Sequence, residues 1–70
     1  MSTCTLLLKN GSERRIYIDD NHYNCRYDQG YQYNEKNGYL IIEGLSEQLP
    51  WPELIAKVKL SSIIGYAFDI

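Results

Sequence analysis

His22 and Cys25 stand three residues apart, and an imidazole beside a thiol is the pairing that makes a cysteine nucleophilic. Asp19 and Asp20 lie just ahead of them, and Cys4 lies far back in the chain. The same residues therefore also offer a set of metal ligands. Neither chemistry is complete. A catalytic cysteine needs a third group to orient its base, and none stands at a recognisable spacing. Structural zinc takes two closely spaced Cys or His pairs, whereas this chain has one imperfect pair. The sequence contains neither a glycine-rich phosphate cradle nor a paired-carboxylate signature. Seventy residues of sheet also lack the walls for a deep, dry pocket. The expectation is a protein without catalysis, cofactor or metal, in which His22 is a loop residue and both cysteines are reduced thiols.

A second set of residues offers contact rather than reaction. Six of the seven tyrosines fall between Tyr17 and Tyr39, in a stretch almost free of aliphatic side chains. Tyrosine brings a broad, stiff face with a polar tip, the chemistry of interface cores. The candidate partner-binding residues are Tyr17, Tyr23, Tyr27, Tyr31 and Tyr33, with Asp28 in the turn between them. The plainer reading is that two or three tyrosines plug the core and the rest decorate strands, which tyrosine favours anyway. Trp51 sits between Pro50 and Pro52. An indole is costly to expose, so Trp51 is expected to cap one open end of the fold. If it projects instead, it is a hot-spot candidate.

Charge narrows the partner. Seven Lys and Arg against nine Asp and Glu give a net charge of −2. Duplex DNA binders need clustered cations to release counterions. Here the basic residues are scattered in sequence, Arg14-Arg15 being the one adjacent pair and Lys57 with Lys59 a looser second. Duplex nucleic acid is disfavoured, and a mildly acidic protein suits a basic patch on another protein. Single-stranded nucleic acid would use aromatics along a cationic groove, yet Arg26 is the one cation between Tyr17 and Tyr33. No apolar run is long enough to span a membrane. The early run Leu6-Leu7-Leu8 is followed, not preceded, by basic residues, unlike a secretion signal. A complete, cytoplasmic gene product is the resulting expectation.

The elements that must position these residues read as strands. Residues 1–70 form a single small β domain, short enough to bury only about 60% of its unfolded surface. Turn signals recur at Asn10-Gly11, Asp28-Gln29-Gly30, Asn37-Gly38 and Gly44, with β-branched and aromatic runs between them. A three-residue loop, Lys9-Asn10-Gly11 with Gly11 at positive φ, puts Cys4, Leu6, Leu8, Ile16 and Ile18 on one face. A two-residue Asn-Gly loop would leave three of these in water. Residues 23–27 and 31–33 read as short strands. Residues 39–43 read as a central strand, joined to 31–33 through a 34–38 loop. Residues 53–60 alternate, with Leu54, Ala56, Val58 and Leu60 inward, which favours a strand over a helix starting at Pro52. Ile64, Tyr66, Phe68 and Ile70 give another period-two face, with Gly65 at a bend or bulge. The predicted fold is all-β, a small antiparallel barrel or strongly coiled sheet of five to six strands. The alternative is α+β with a short helix at 52–60.

The ending VKLSSIIGYAFDI, the Tyr-Leu-Ile-Ile strand and the Asn-Gly hairpin resemble small uncharacterised all-β proteins encoded by phages and mobile elements of Gram-positive bacteria. The resemblance implies a fold and a genomic setting and transfers no functional residue. Together with size and acidity it implies a protein-binding module that modulates a host protein, such as an anti-defence inhibitor. The alternatives are a barrel binding single-stranded nucleic acid and a self-associating structural subunit. A marginal core and uncovered strand edges also favour a homodimer, formed through an edge or the tyrosine face.

Overall fold

Gly11, at φ 88°, closes the first hairpin. Its N–H donates to the Leu8 carbonyl and the Leu8 N–H to the Ser12 carbonyl, each at 2.9 Å. The Asn10 side chain braces the turn by accepting from the Ser12 N–H. The loop is thus Lys9-Asn10-Gly11, and the strands it joins, β1 (Ser2–Leu8) and β2 (Glu13–Ile18), pair Leu6 with Arg14 and Cys4 with Ile16. This is the register expected from burying Cys4, Leu6, Leu8, Ile16 and Ile18 together. Leu6 is buried, and Leu7 faces outward.

The computed structural model describes residues 1–20 and 24–69. The remaining strands are β3 (Tyr31–Lys36), β4 (Tyr39–Gly44), β5 (Glu53–Lys59) and β6 (Ile63–Asp69), with a single 3₁₀ turn at Leu60–Ser62. They form two three-stranded antiparallel sheets, ordered β2-β1-β6 and β3-β4-β5. The fold is all-β with six strands, and residues 53–59 are strand rather than helix. The expected barrel is not closed, because no strand of one sheet pairs with a strand of the other. Instead the sheets share one core built from Cys4, Leu6, Ile18, Leu40, Ile42 and Ile63. The thinnest dimension of the chain is 11 Å, the thickness of two packed sheets.

Four local expectations are corrected. Asn37 and Gly38, both at positive φ, make a two-residue hairpin turn. That turn lets β3 continue to Lys36, which pairs with Tyr39, so there is no 34–38 loop. Residues 24–30 are turn and loop, not strand, and residue 23 lies outside the described residues. The alternation of β5 breaks at a bulge, where the step from Ile42 to Glu43 on β4 faces the longer step from Ala56 to Leu54. A bulge adds one residue and reverses the side-chain parity beyond it. Leu54 is therefore exposed and Ile55 packs against the core. A second bulge beside Gly65 puts Ile64 outward, while Ile63, Tyr66 and Phe68 face in. The expected bend at Gly65 is this bulge, but the inward face starts at Ile63. Ile70 lies outside the described residues.

Candidate functional site

Two unpaired seams run along a sandwich of this kind, and here they differ. Along one, β6 faces β3. Tyr33 stacks on Phe68 with ring centroids 4.4 Å apart, and Tyr31 stacks on the same ring at 5.2 Å. Tyr66 meets Tyr33 and Phe68 edge-on. Its hydroxyl donates to the Glu35 carboxylate at 2.7 Å, which with burial pushes the phenol up to about 12. Aromatic pairs of this geometry contribute about 0.5–1.5 kcal/mol beyond the area they bury. This seam is closed by side chains.

Along the other seam, β2 faces β5 and, among the described residues, no side chain fills the gap. A groove of about 560 Å³ opens there, floored by Leu6, Leu8, Ile16, Ile55 and Val58. Residues 14–16 and 55–59 line it consecutively. A strand presenting a face would contribute only every second residue, so the walls are strand edges. Among the described residues both edges are unpaired. Arg14 pairs with Leu6 and so shares the groove-facing side of the first sheet.

Strand direction sorts the charges. The 9–11 loop, the 37–38 turn and the 60–62 turn all lie at one end of the sandwich. Lys9, Arg14, Arg15, Lys36, Lys57 and Lys59 lie in that half, six of the seven Lys and Arg. Only Glu13 and Glu35 of the nine acidic residues accompany them. The Lys57 ammonium lies 4.5 Å from the Tyr39 ring centroid on the outer face, a cation–π contact. The opposite half is acidic. Strands of six or seven residues separate the two ends by roughly 20 Å, about twice the Debye length at 0.1 M salt. A neighbour therefore meets the charge of one end and not the net −2.

At the acidic end the loops are braced internally. The Asp19 carbonyl accepts from the Tyr27 N–H at 2.9 Å, folding the chain back over the sheet. The Tyr27 ring then seats over Gly44 and is 8% exposed. Its hydroxyl donates to Glu53, which also takes a bidentate pair of bonds from Arg26 at 2.7 and 2.6 Å. The Arg26 guanidinium and then the Tyr27 hydroxyl hold the Glu53 carboxyl down at about 2. Burial, and next the Glu53 hydrogen bond, push the Tyr27 phenol up. Among the described residues Arg26–Glu53 is the one ion pair.

Trp51 crowns this end and is 73% exposed. The expected cap is thus a projection. Leu49, two residues earlier, packs against the core in its place, and the prolines on either side carry the indole outward. Leu54, turned out by the β5 bulge, is exposed three residues along.

The six sequence-predicted contact residues do not form one face. Tyr17 lies on the outer side of the first sheet, opposite Thr3, and is 63% exposed. Tyr27 is core, which removes it as a contact residue, because its ring fills the space left by the missing side chain at Gly44. Tyr31 and Tyr33 come together, but in the closed seam. Tyr33 still shows 52% of its surface. The Asp28 carboxylate accepts from the Glu47 N–H at 3.1 Å, tying two loops. Tyr23 lies outside the described residues, as does His22. Cys4 is buried and Cys25 half-buried, both free, and burial pushes the Cys4 thiol up. Among the described residues no three His, Cys, Asp or Glu gather as metal ligands, and no helix is long and apolar enough to cross a membrane. Comparison with protein-family models, curated proteins and solved structures finds no match to this chain.

Proposed function

We propose that the protein is a non-enzymatic module that binds another protein, with Trp51 as its anchor. The observation that carries the reading is an indole 73% exposed on a loop stiffened by two prolines. Tryptophan leads the residues in which binding energy concentrates, and a rigid loop loses little entropy on docking. Exposed Leu54 extends the apolar contact, and the surrounding carboxylates form a polar rim suited to a basic partner surface. A host protein is the partner that the resemblance to phage and mobile-element proteins implies, with inhibition as the implied effect. Single-stranded nucleic acid is the weaker reading, because Trp51 stands at the acidic end, away from the cations that would hold a phosphate backbone.

The test is affinity capture from host lysate with the wild-type chain and with Trp51→Ala. Proteins retained by the first should be lost by the second, with the two melting curves superimposed because the indole leaves no core cavity. Equal retention by both chains would remove Trp51 from the role. A salt-sensitive gel shift with labelled single-stranded oligonucleotides would move the reading to nucleic acid.

A further inference from the structure

The chain carries both halves of a contact at its two ends. One end projects an indole from a rigid, acid-flanked loop. The other half holds an apolar groove with unpaired strand edges for walls and cations around it. We propose that the protein assembles head to tail, the Trp51 loop of one copy docking in the groove between β2 and β5 of the next. The inference rests on the reading of Trp51 as an anchor and names the partner that the anchor fits.

Size and chemistry match. A groove of about 560 Å³ falls in the range of about 300–1,000 Å³ that ligand pockets occupy. Its floor is aliphatic, the surroundings an indole prefers to water. Unpaired backbone groups on both walls offer bonds to the backbone of an entering loop. A fatty acid would satisfy the floor and one cation but leave both strand edges bare.

Charge sets the orientation. Two copies meeting groove to groove would bring Arg14 and Arg15 against their own counterparts, and like charges in a contact repel. Two copies meeting loop to loop would oppose two acidic ends. Only acidic end to basic groove joins opposite charges. Such a contact uses two different surfaces, so each added copy presents a fresh loop and a fresh groove. Assemblies of this type grow as open chains or close as rings. The terminal copy keeps its Trp51 free for another protein.

Two variants separate the halves. Trp51→Ala removes the projection, and Arg14→Glu with Arg15→Glu reverses the charge at one wall of the groove. All of these residues are exposed, so both variants should melt like wild type. Sedimentation velocity of the full chain should show mass rising with concentration beyond two copies and falling as salt is raised. Each variant alone should associate at least about thirtyfold more weakly, as loss of a hot-spot residue implies. Mixed one to one, the variants should form a heterodimer and nothing larger, because one intact loop meets one intact groove. Trp51 is the only tryptophan, so its emission should shift to the blue in the wild type and in the mixture alone. A chain that stays single at every concentration overturns the proposal, as does a wild-type dimer that Trp51→Ala leaves intact. If the chain stays single but Trp51→Ala still abolishes capture of another protein, the binding-module reading stands and the self-docking fails. If neither association nor capture depends on Trp51, both fail together.

Discussion

Tyr27 lies so close to Gly44 that a Cβ on residue 44 would sit 2.2 Å from the ring. Gly44 ends a central strand and is buried, so the glycine is required by space and not by backbone angle. The ring in turn brings its hydroxyl to Glu53 and, through it, Arg26 to the end of β5. One missing side chain thus makes room for the cluster of Arg26, Tyr27 and Glu53.

Gly44→Ala should therefore displace Tyr27. Overpacking of a core position costs about 1–3 kcal/mol, and the nearest neighbours of the new methyl are atoms of the Tyr27 ring, which the Glu53 bond holds in place. Urea denaturation should show that loss for Gly44→Ala alone and a clearly smaller one when Tyr27→Leu is already present. Contacting residues couple in this way. Equal losses in the two backgrounds would mean that the ring is free to move.

The register of the first hairpin makes a sharp contrast between neighbours. Leu6 lies in the core and Leu7 on the outer side. Leu6→Ala should cost about 2–5 kcal/mol, whereas Leu7→Ala should stay within about 1 kcal/mol because Leu7 lies on the outer side and its loss opens no cavity in the core. Denaturation midpoints with unchanged slopes would check this. A reversed order would require the one-residue slip that a two-residue loop produces.

This hairpin was legible because a period-two pattern and an Asn-Gly turn constrain each other locally. Strand identity in residues 53–59 was legible from the period-two pattern alone. The bulges were not, since alternation in sequence carries no mark of an extra residue unless the partner strand is known. Alternation alone therefore points Leu54 and Ile64 inward, where the structure has them exposed. The charge polarity was equally hidden. Arg14 and Lys59 are far apart in sequence, and only the order of the strands brings them to one groove. The exposure of Trp51 was hidden as well, because a general preference for burial carries no sign of a loop in which Leu49 fills the interior instead.

The tyrosines now divide by role, and two substitutions tell the roles apart. Tyr33 is half exposed yet stacked on Phe68. Tyr33→Ala should lower stability by about 1 kcal/mol or more through the lost stack. Tyr17→Ala, on the outer face, should fall within about 0.5 kcal/mol of wild type. Thermal unfolding of both variants, measured side by side, decides the matter. A silent Tyr33→Ala would reopen the seam as a contact surface.

Acid should weaken the clamp at the end of β5 in a defined window. The Glu53 carboxyl, ordinarily near 4.5, is held at about 2 in the fold by Arg26 and Tyr27. A folded value below the unfolded one means that the folded state favours the charged form. The stabilisation is therefore fully present above pH 4.5 and is lost as pH falls from there towards 2. Glu53→Gln keeps the shape and removes the charge, so it should melt below wild type at pH 6. The gap between their melting temperatures should narrow through pH 4 and 3 and nearly vanish near pH 2. Raising salt at pH 6 should narrow it only in part, since the bidentate hydrogen bonds remain. A gap of constant size from pH 6 to pH 2 would show that Glu53 acts there through packing and not through its charge.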